Sequence, residues 1–129
     1  MDIVVLAGGL STERDVSLKT GEMVAGALRE NGHRVILLDV FMGYGPGDPA
    51  QEDLFARADE ISLKPAGIAV TAPDLAQVKA SRGDSPDGFF GPNVIRICQR
   101  ADLVFMALHG EDGENGKIQA AFDLFGIRY

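Results

Sequence analysis

A single cysteine, Cys98, stands in a chain of 129 residues. No intrachain disulfide can form, which excludes a disulfide-stapled secreted scaffold and fits the cytosol. No apolar run approaches the roughly 20 residues that a membrane-spanning helix needs. The opening "MDIVVLAGGL" has no basic segment, and its apolar run is too short for a signal peptide. Basic residues are outnumbered, 12 against 19 acids, for a net charge of −7, so the footprint of a nucleic-acid binder is missing. The expectation is a cytoplasmic protein with neither a membrane nor a nucleic-acid partner. The charge leaves an anion site open, because glycine-loop amides bind anions without side-chain charge. Repeats, heptads and low-complexity tracts are absent too. What remains, 46% hydrophobic and 24% charged residues, is ordinary for one soluble globular domain.

The organisation follows from hydropathy. "DIVVLAGG" reads as a buried parallel strand, about 2–7, ended by two glycines. The helix after it puts Val16, Thr20, Met23, Val24, Ala27 and Leu28 on one face, with acids at its start and Gly32 as its stop. "HRVILLDV" is a second buried strand, about 33–39, which completes a right-handed βαβ unit. An irregular insert, about 41–91, follows. Within it "DLFARADE" suggests a short helix, Pro65–Gly67 the centre of a hairpin, "SRGDSPDGFFGP" a loop, and Phe89–Phe90 an anchor or a partner contact. A helix then begins near Pro92, with Val94, Ile95 and Cys98 inward. Asp102–Leu108 is a third strand. The last helix turns Ile118, Ala121, Phe122 and Phe125 to the core, and Ile127–Tyr129 would start a fourth strand. The alternation predicts an α/β fold, a three-layer Rossmann-like domain over 1–129 with a mostly parallel sheet and an irregular insert.

In open α/β sheets ligands bind beyond the carboxyl ends of the strands. Two loops qualify. "AGGLSTERDVS" follows the first strand, and "LHGEDGENGK" follows the third. The first lacks the G-x-G-x-x-G spacing of a dinucleotide site and the lysine of a P-loop. Glu13 and Asp15 are unwelcome beside a phosphate but suit an ammonium group. The plainer alternative makes Gly8 and Gly9 a turn and the two acids solvated helix-start charges. In the second loop, His109 could hold a carboxylate. Glu111, Asp112 and Glu114 are solvated charges, helix-start acids or metal ligands, and nothing in the spacing selects among these. The alternative is a satisfied histidine capping a strand. Ser11, Ser17 and His109 make no hydrolase signature, since no G-x-S-x-G elbow is present. Cys98 falls on an apolar helical face and reads as core, and His33 as an exposed strand start.

The two loops together carry a resemblance. "VVLAGGLSTERDVSLKTG" and "VFMALHGEDGENGKIQAAFDLFGIRY" resemble the amino-terminal, pre-ATP-grasp domain of D-alanine–D-alanine ligases, in which two glycines precede Ser-x-Glu-Arg-Glu-Val-Ser and Ala-Leu-His-Gly precedes a glycine- and acid-rich loop. Asp15, Asn115 and Arg128 depart mildly from that pattern and leave Glu13, Ser17 and His109 intact.

The resemblance implies an ATP-dependent ligase of two D-alanines, acting through an acyl phosphate for peptidoglycan precursors. It implies that Glu13 is the catalytic, substrate-orienting carboxylate, that Ser17 and His109 complete the substrate-binding set, and that Gly8, Gly9 and Gly110 shape the loops. ATP and Mg2+ would be held by ATP-grasp domains that follow in such ligases. No cofactor or metal is expected in this chain, which alone would be inactive. It would be cut just as its fourth strand begins. The partners implied are D-alanine, those ATP-grasp domains and a homodimer as a candidate assembly. Rival readings are a free-standing amino-acid-binding or docking module, the same domain of a D-alanine–D-lactate or D-serine ligase, and a flavodoxin-like nucleotide binder, the last disfavoured by the absent phosphate signatures.

Overall fold

The computed structural model describes residues 1–45, 48–49, 51–63, 75–82, 88–109 and 116–129. Its elements are β1 (Asp2–Ala7), α1 (Arg14–Glu30), β2 (Arg34–Asp39), a 3-10 turn (Leu54–Arg57) running into α2 (Ala58–Ile61), α3 (Leu75–Ser81), α4 (Val94–Arg100), β3 (Leu103–Met106) and α5 (Lys117–Phe125). The three strands pair in parallel in the order β2-β1-β3. Val4 lies opposite Ile36 on one side and Val104 on the other. β1 is apolar on both faces because both are covered, as a central parallel strand requires. Ile3, Val5, Ala7, Val35 and Leu37 meet α1. Val4, Leu6, Ile36, Leu38 and Val104 pack with α4, α5 and the 54–61 segment on the opposite face. The α/β three-layer expectation is met. No fourth strand forms among the described residues, but Arg128 O accepts from Val104 N at 2.8 Å, so the carboxyl-terminal residues run beside β3.

The inward face of α1 differs from the hydropathy reading. Ser17, Gly21 and Ala25 are its buried residues. Val16 is 45% and Met23 66% exposed, Ala27 is exposed, and Thr20, Val24 and Leu28 flank the contact half-buried. The reason is close approach. A Cβ on Gly21 would sit 2.8 Å from Ala7 Cβ and 2.9 Å from Leu37 Cδ1. A ridge of small residues spaced by four lets the helix settle onto the sheet, and larger side chains splay to its flanks. α1 stops where Gly32 implies. Gly32 N donates to Arg29 O at 2.9 Å and His33 N to Leu28 O at 3.3 Å. His33 is half-buried, not exposed, with its Nδ1 3.0 Å from the Met1 amino group.

The insert is pinched at its base. Gly91 N donates to Val40 O at 2.9 Å, and Tyr44 N to Pro92 O at 3.0 Å. Glycine is needed at this crossing, since a Cβ on Gly91 would lie 2.2 Å from Phe41 O. The helical reading of 53–60 is met by the 3-10 turn and α2. Ser62 and Leu63 then cover the edge of β2, with Leu37 N donating to Ser62 Oγ at 2.9 Å and Leu63 N to Leu37 O at 2.8 Å. α3 was not foreseen, and the hairpin expected around Pro65–Gly67 lies outside the described residues. Phe90 anchors the insert by stacking on Phe122, with centroids 6.0 Å apart.

α4 buries Val94, Ile97 and Cys98, with Ile95 only half-buried and Pro92 in the turn before the helix. In α5, Ile118 and Phe122 are buried, but Phe125 is 51% exposed and Ala121 half-buried. The chain reverses at Gly126, and Ile127 takes the inward place instead. Its amide donates to Phe122 O at 2.9 Å while its side chain enters the core.

Candidate functional site

The strand order reverses at β1, so the crevice between β1 and β3 is a topological switch point. The loops after β1 and β3 flank it. A shallow cleft there is lined by Gly8, Gly9, Leu10, Ser11, Phe89, Leu108 and His109.

Gly8 and Gly9 leave β1 with φ of +81° and +86°. Gly8 has a second reason to be glycine: a Cβ there would meet Asp39 Oδ1 at 2.7 Å. The loop ends at Glu13, which caps α1 with its backbone. Glu13 is exposed, and its carboxylate has no ion pair among the described residues. Ser17, one turn on, is fully buried. Its hydroxyl accepts from Gly8 N at 2.9 Å and donates to Ala107 O at 2.7 Å. It thereby ties the end of β1 to the segment leaving β3.

His109 is half-buried, with Nε2 3.3 Å from Thr20 Oγ1 on α1. Its carbonyl accepts from Ser11 Oγ at 3.0 Å, and the same hydroxyl accepts from Glu13 N at 3.2 Å. One serine thus couples the backbones of Glu13 and His109. Gly110 and the acids Glu111, Asp112 and Glu114 lie outside the described residues.

Sequence reasoning missed two members of this frame, Asp39 and Ser11. Asp39 ends β2 and is 2% exposed. It forms an ion pair with Arg14 and accepts from Phe41 N at 2.9 Å, Met42 N at 3.2 Å and, more weakly, Gly9 N at 3.5 Å. Arg14 also donates to Gly9 O at 2.8 Å. The available signal was a lone carboxylate closing the apolar run "VILLDV", since an aspartate is rarely buried without partners.

These contacts decide what the loop can hold. The Gly8 amide is taken by a serine oxygen, and a buried carboxylate stands beside the Gly9 amide. The loop therefore does not fit a nucleotide phosphate. Among the described residues no three histidine, cysteine or acidic side chains converge on a metal position. The exposed carboxylate of Glu13 stands on the loop that Ser11 joins to the backbone of His109. At the other end of the sheet, in a cleft beside Asp2, Arg34 and Asp53, the one guanidinium is engaged by both carboxylates. Arg34 binds Asp2 through two hydrogen bonds of 2.6 and 2.7 Å, which, with help from Asp53, hold its guanidinium above its ordinary range. No helix among the described residues is long and apolar enough to cross a membrane.

Fold and site together define a doubly wound α/β domain with a cleft at the carboxyl edge of its sheet. The sequence model described as D-ala D-ala ligase N-terminus matches residues 2–129, and the chain belongs to that family. It is 45% identical over 130 residues to a D-alanine--D-alanine ligase of Lacticaseibacillus casei and 44% over 131 residues to one of Pediococcus pentosaceus, all of this chain and 36% of each relative being covered. A D-alanine--D-alanine ligase of Coprothermobacter proteolyticus is 33% identical over 129 residues, covering 27% of that relative. The chain thus spans about a third of the length of the relatives it matches.

Proposed function

We propose that this chain is the amino-terminal, substrate-orienting domain of a cytoplasmic D-alanine–D-alanine ligase that supplies peptidoglycan precursors. In the proposed reaction the carboxylate of one D-alanine attacks the γ-phosphorus of ATP, giving an acyl phosphate and ADP. The amine of a second D-alanine then attacks the acyl carbon, releasing phosphate and leaving D-alanyl-D-alanine. ATP and Mg2+ belong to other domains of the ligase in this reading, in keeping with the poor fit of a phosphate to the Gly8–Gly9 loop.

Glu13 takes the ammonium group of the first D-alanine in a charge-assisted contact. His109 faces the carboxyl end of that substrate and biases its charge, while Ser17 supports the loop backbone and Gly8, Gly9 and Gly110 serve as loop-shaping residues. The observation that carries the reading is the Ser11 bridge, which makes the Glu13 and His109 loops one unit. Fixing a substrate by both charged ends is the positioning that phosphoryl transfer depends on.

Glu13→Gln in the full-length ligase tests it. Loss of a charge-assisted bond of about 1.5–3 kcal/mol predicts a fall of about 10- to 100-fold in kcat/KM for the first D-alanine. Unchanged kinetics at low D-alanine would remove Glu13 from this role.

A further inference from the structure

We infer that Asp39, acting through Arg14, is a positioning residue that holds the turn carrying Glu13. The inference rests on the reading of Glu13 as the ammonium ligand for its kinetic consequence, but not for its structural part. Arg14 is the residue next to Glu13 and the first of α1. Its side chain does not extend into solvent; it is 11% exposed and folds back beneath the loop. There one guanidinium nitrogen binds Asp39 and the other donates to Gly9 O at 2.8 Å.

Asp39 is equally fixed. Its side chain is 1% exposed and is held by the amides of Phe41 and Met42 just past β2. A buried carboxylate of this kind is tolerated because it is paired and hydrogen-bonded on both oxygens. The pair clamps the loop at both ends, at Gly9 and at Arg14, with Glu13 between them. Neither residue needs to touch substrate. A planar fork that reaches two acceptors at once explains why arginine rather than lysine stands here.

The test uses the full-length ligase carrying this domain. Asp39→Asn keeps the side-chain volume and one acceptor for Phe41 N and Met42 N, but removes the charge that holds Arg14. Arg14→Lys keeps the charge but serves only one of the two acceptors, and stands in should Asp39→Asn not fold. Hydrogen exchange should accelerate in the segment 8–15 and stay unchanged in β1 and β2. KM for the first D-alanine should rise and kcat/KM fall by about 10- to 100-fold, since small misplacements near a reacting centre have effects of that size. KM for ATP should not move. Combined with Glu13→Gln, Asp39→Asn should have little further effect, because both act on one contact.

Unchanged exchange in 8–15 overturns the inference. So does a kinetic loss that persists undiminished on top of a damaging Glu13→Gln. Faster loop exchange with a silent Glu13→Gln upholds the clamp and overturns the ammonium role of Glu13 instead.

Discussion

Ser11 Oγ donates to His109 O across 98 positions of sequence at 3.0 Å, and the same oxygen receives Glu13 N at 3.2 Å. Ser11 is only half-buried, so water can replace it in part. Ser11→Ala should therefore be mild in stability, about 1 kcal/mol, but should let the two loops move independently. Faster exchange of the Glu13 amide, with a small drop in melting temperature, is the expected result. An unchanged Glu13 amide would mean that the serine does not couple the loops.

Ser17 makes the opposite case. Its two backbone partners, Gly8 N and Ala107 O, are buried along with it. Ser17→Ala would orphan both, at about 1–3 kcal/mol for each group that no water reaches. Urea unfolding should show Ser17→Ala losing at least twice the stability that Ser11→Ala loses. Equal losses would indicate that water enters beneath α1.

The two glycines of α1 should respond to alanine with opposite signs. At Gly26 an added Cβ meets nothing within 4 Å. Gly26→Ala should stabilise by about 0.5–1 kcal/mol through helix propensity alone. At Gly21 the same gain is set against contacts of 2.8 Å to Ala7 Cβ and 2.9 Å to Leu37 Cδ1. Ala7 Cβ is fixed to the central strand, so the helix must lift. Overpacking of this kind costs about 1–3 kcal/mol, and Gly21→Ala should be destabilising overall. Denaturant midpoints of the two variants, moving in opposite directions, would establish the small-residue ridge.

That ridge also explains how far the sequence could be read. β1 and β2 were legible because a strand buried on both faces is one continuous apolar run, and the stop at Gly32 is a local signal. The face of α1 was not legible, because Ser17, Gly21 and Ala25 carry almost no hydropathy. The larger Val16 and Met23 pointed the pattern the wrong way. Phe125 misled in the same manner, since the reversal at Gly126 sends Ile127 inward in its place. At the site, Glu13 and His109 stand beside glycines at strand ends and could be singled out. Asp39 showed only as a lone carboxylate closing an apolar run and Ser11 not at all, because the contacts that give them their roles, Asp39 with Arg14 and Ser11 with His109, join residues 25 and 98 positions apart.

Cys98 offers a check on α4 that needs no activity. It is 1% exposed, and burial pushes its thiol up to about 12. The native protein should therefore resist thiol reagents at pH 8, with labelling appearing only as the fold opens. The linkage has a definite sign. The folded state disfavours the thiolate and the unfolded chain does not. The stability associated with the neutral thiol is fully present below the ordinary thiol pKa and is lost as pH climbs toward about 12. Cys98→Ala should cost about 1 kcal/mol at neutral pH, while its stability falls less steeply on the alkaline side than that of the parent. Rapid labelling of the native protein at pH 8, or parallel alkaline profiles for the two proteins, would place Cys98 outside the core beneath α4.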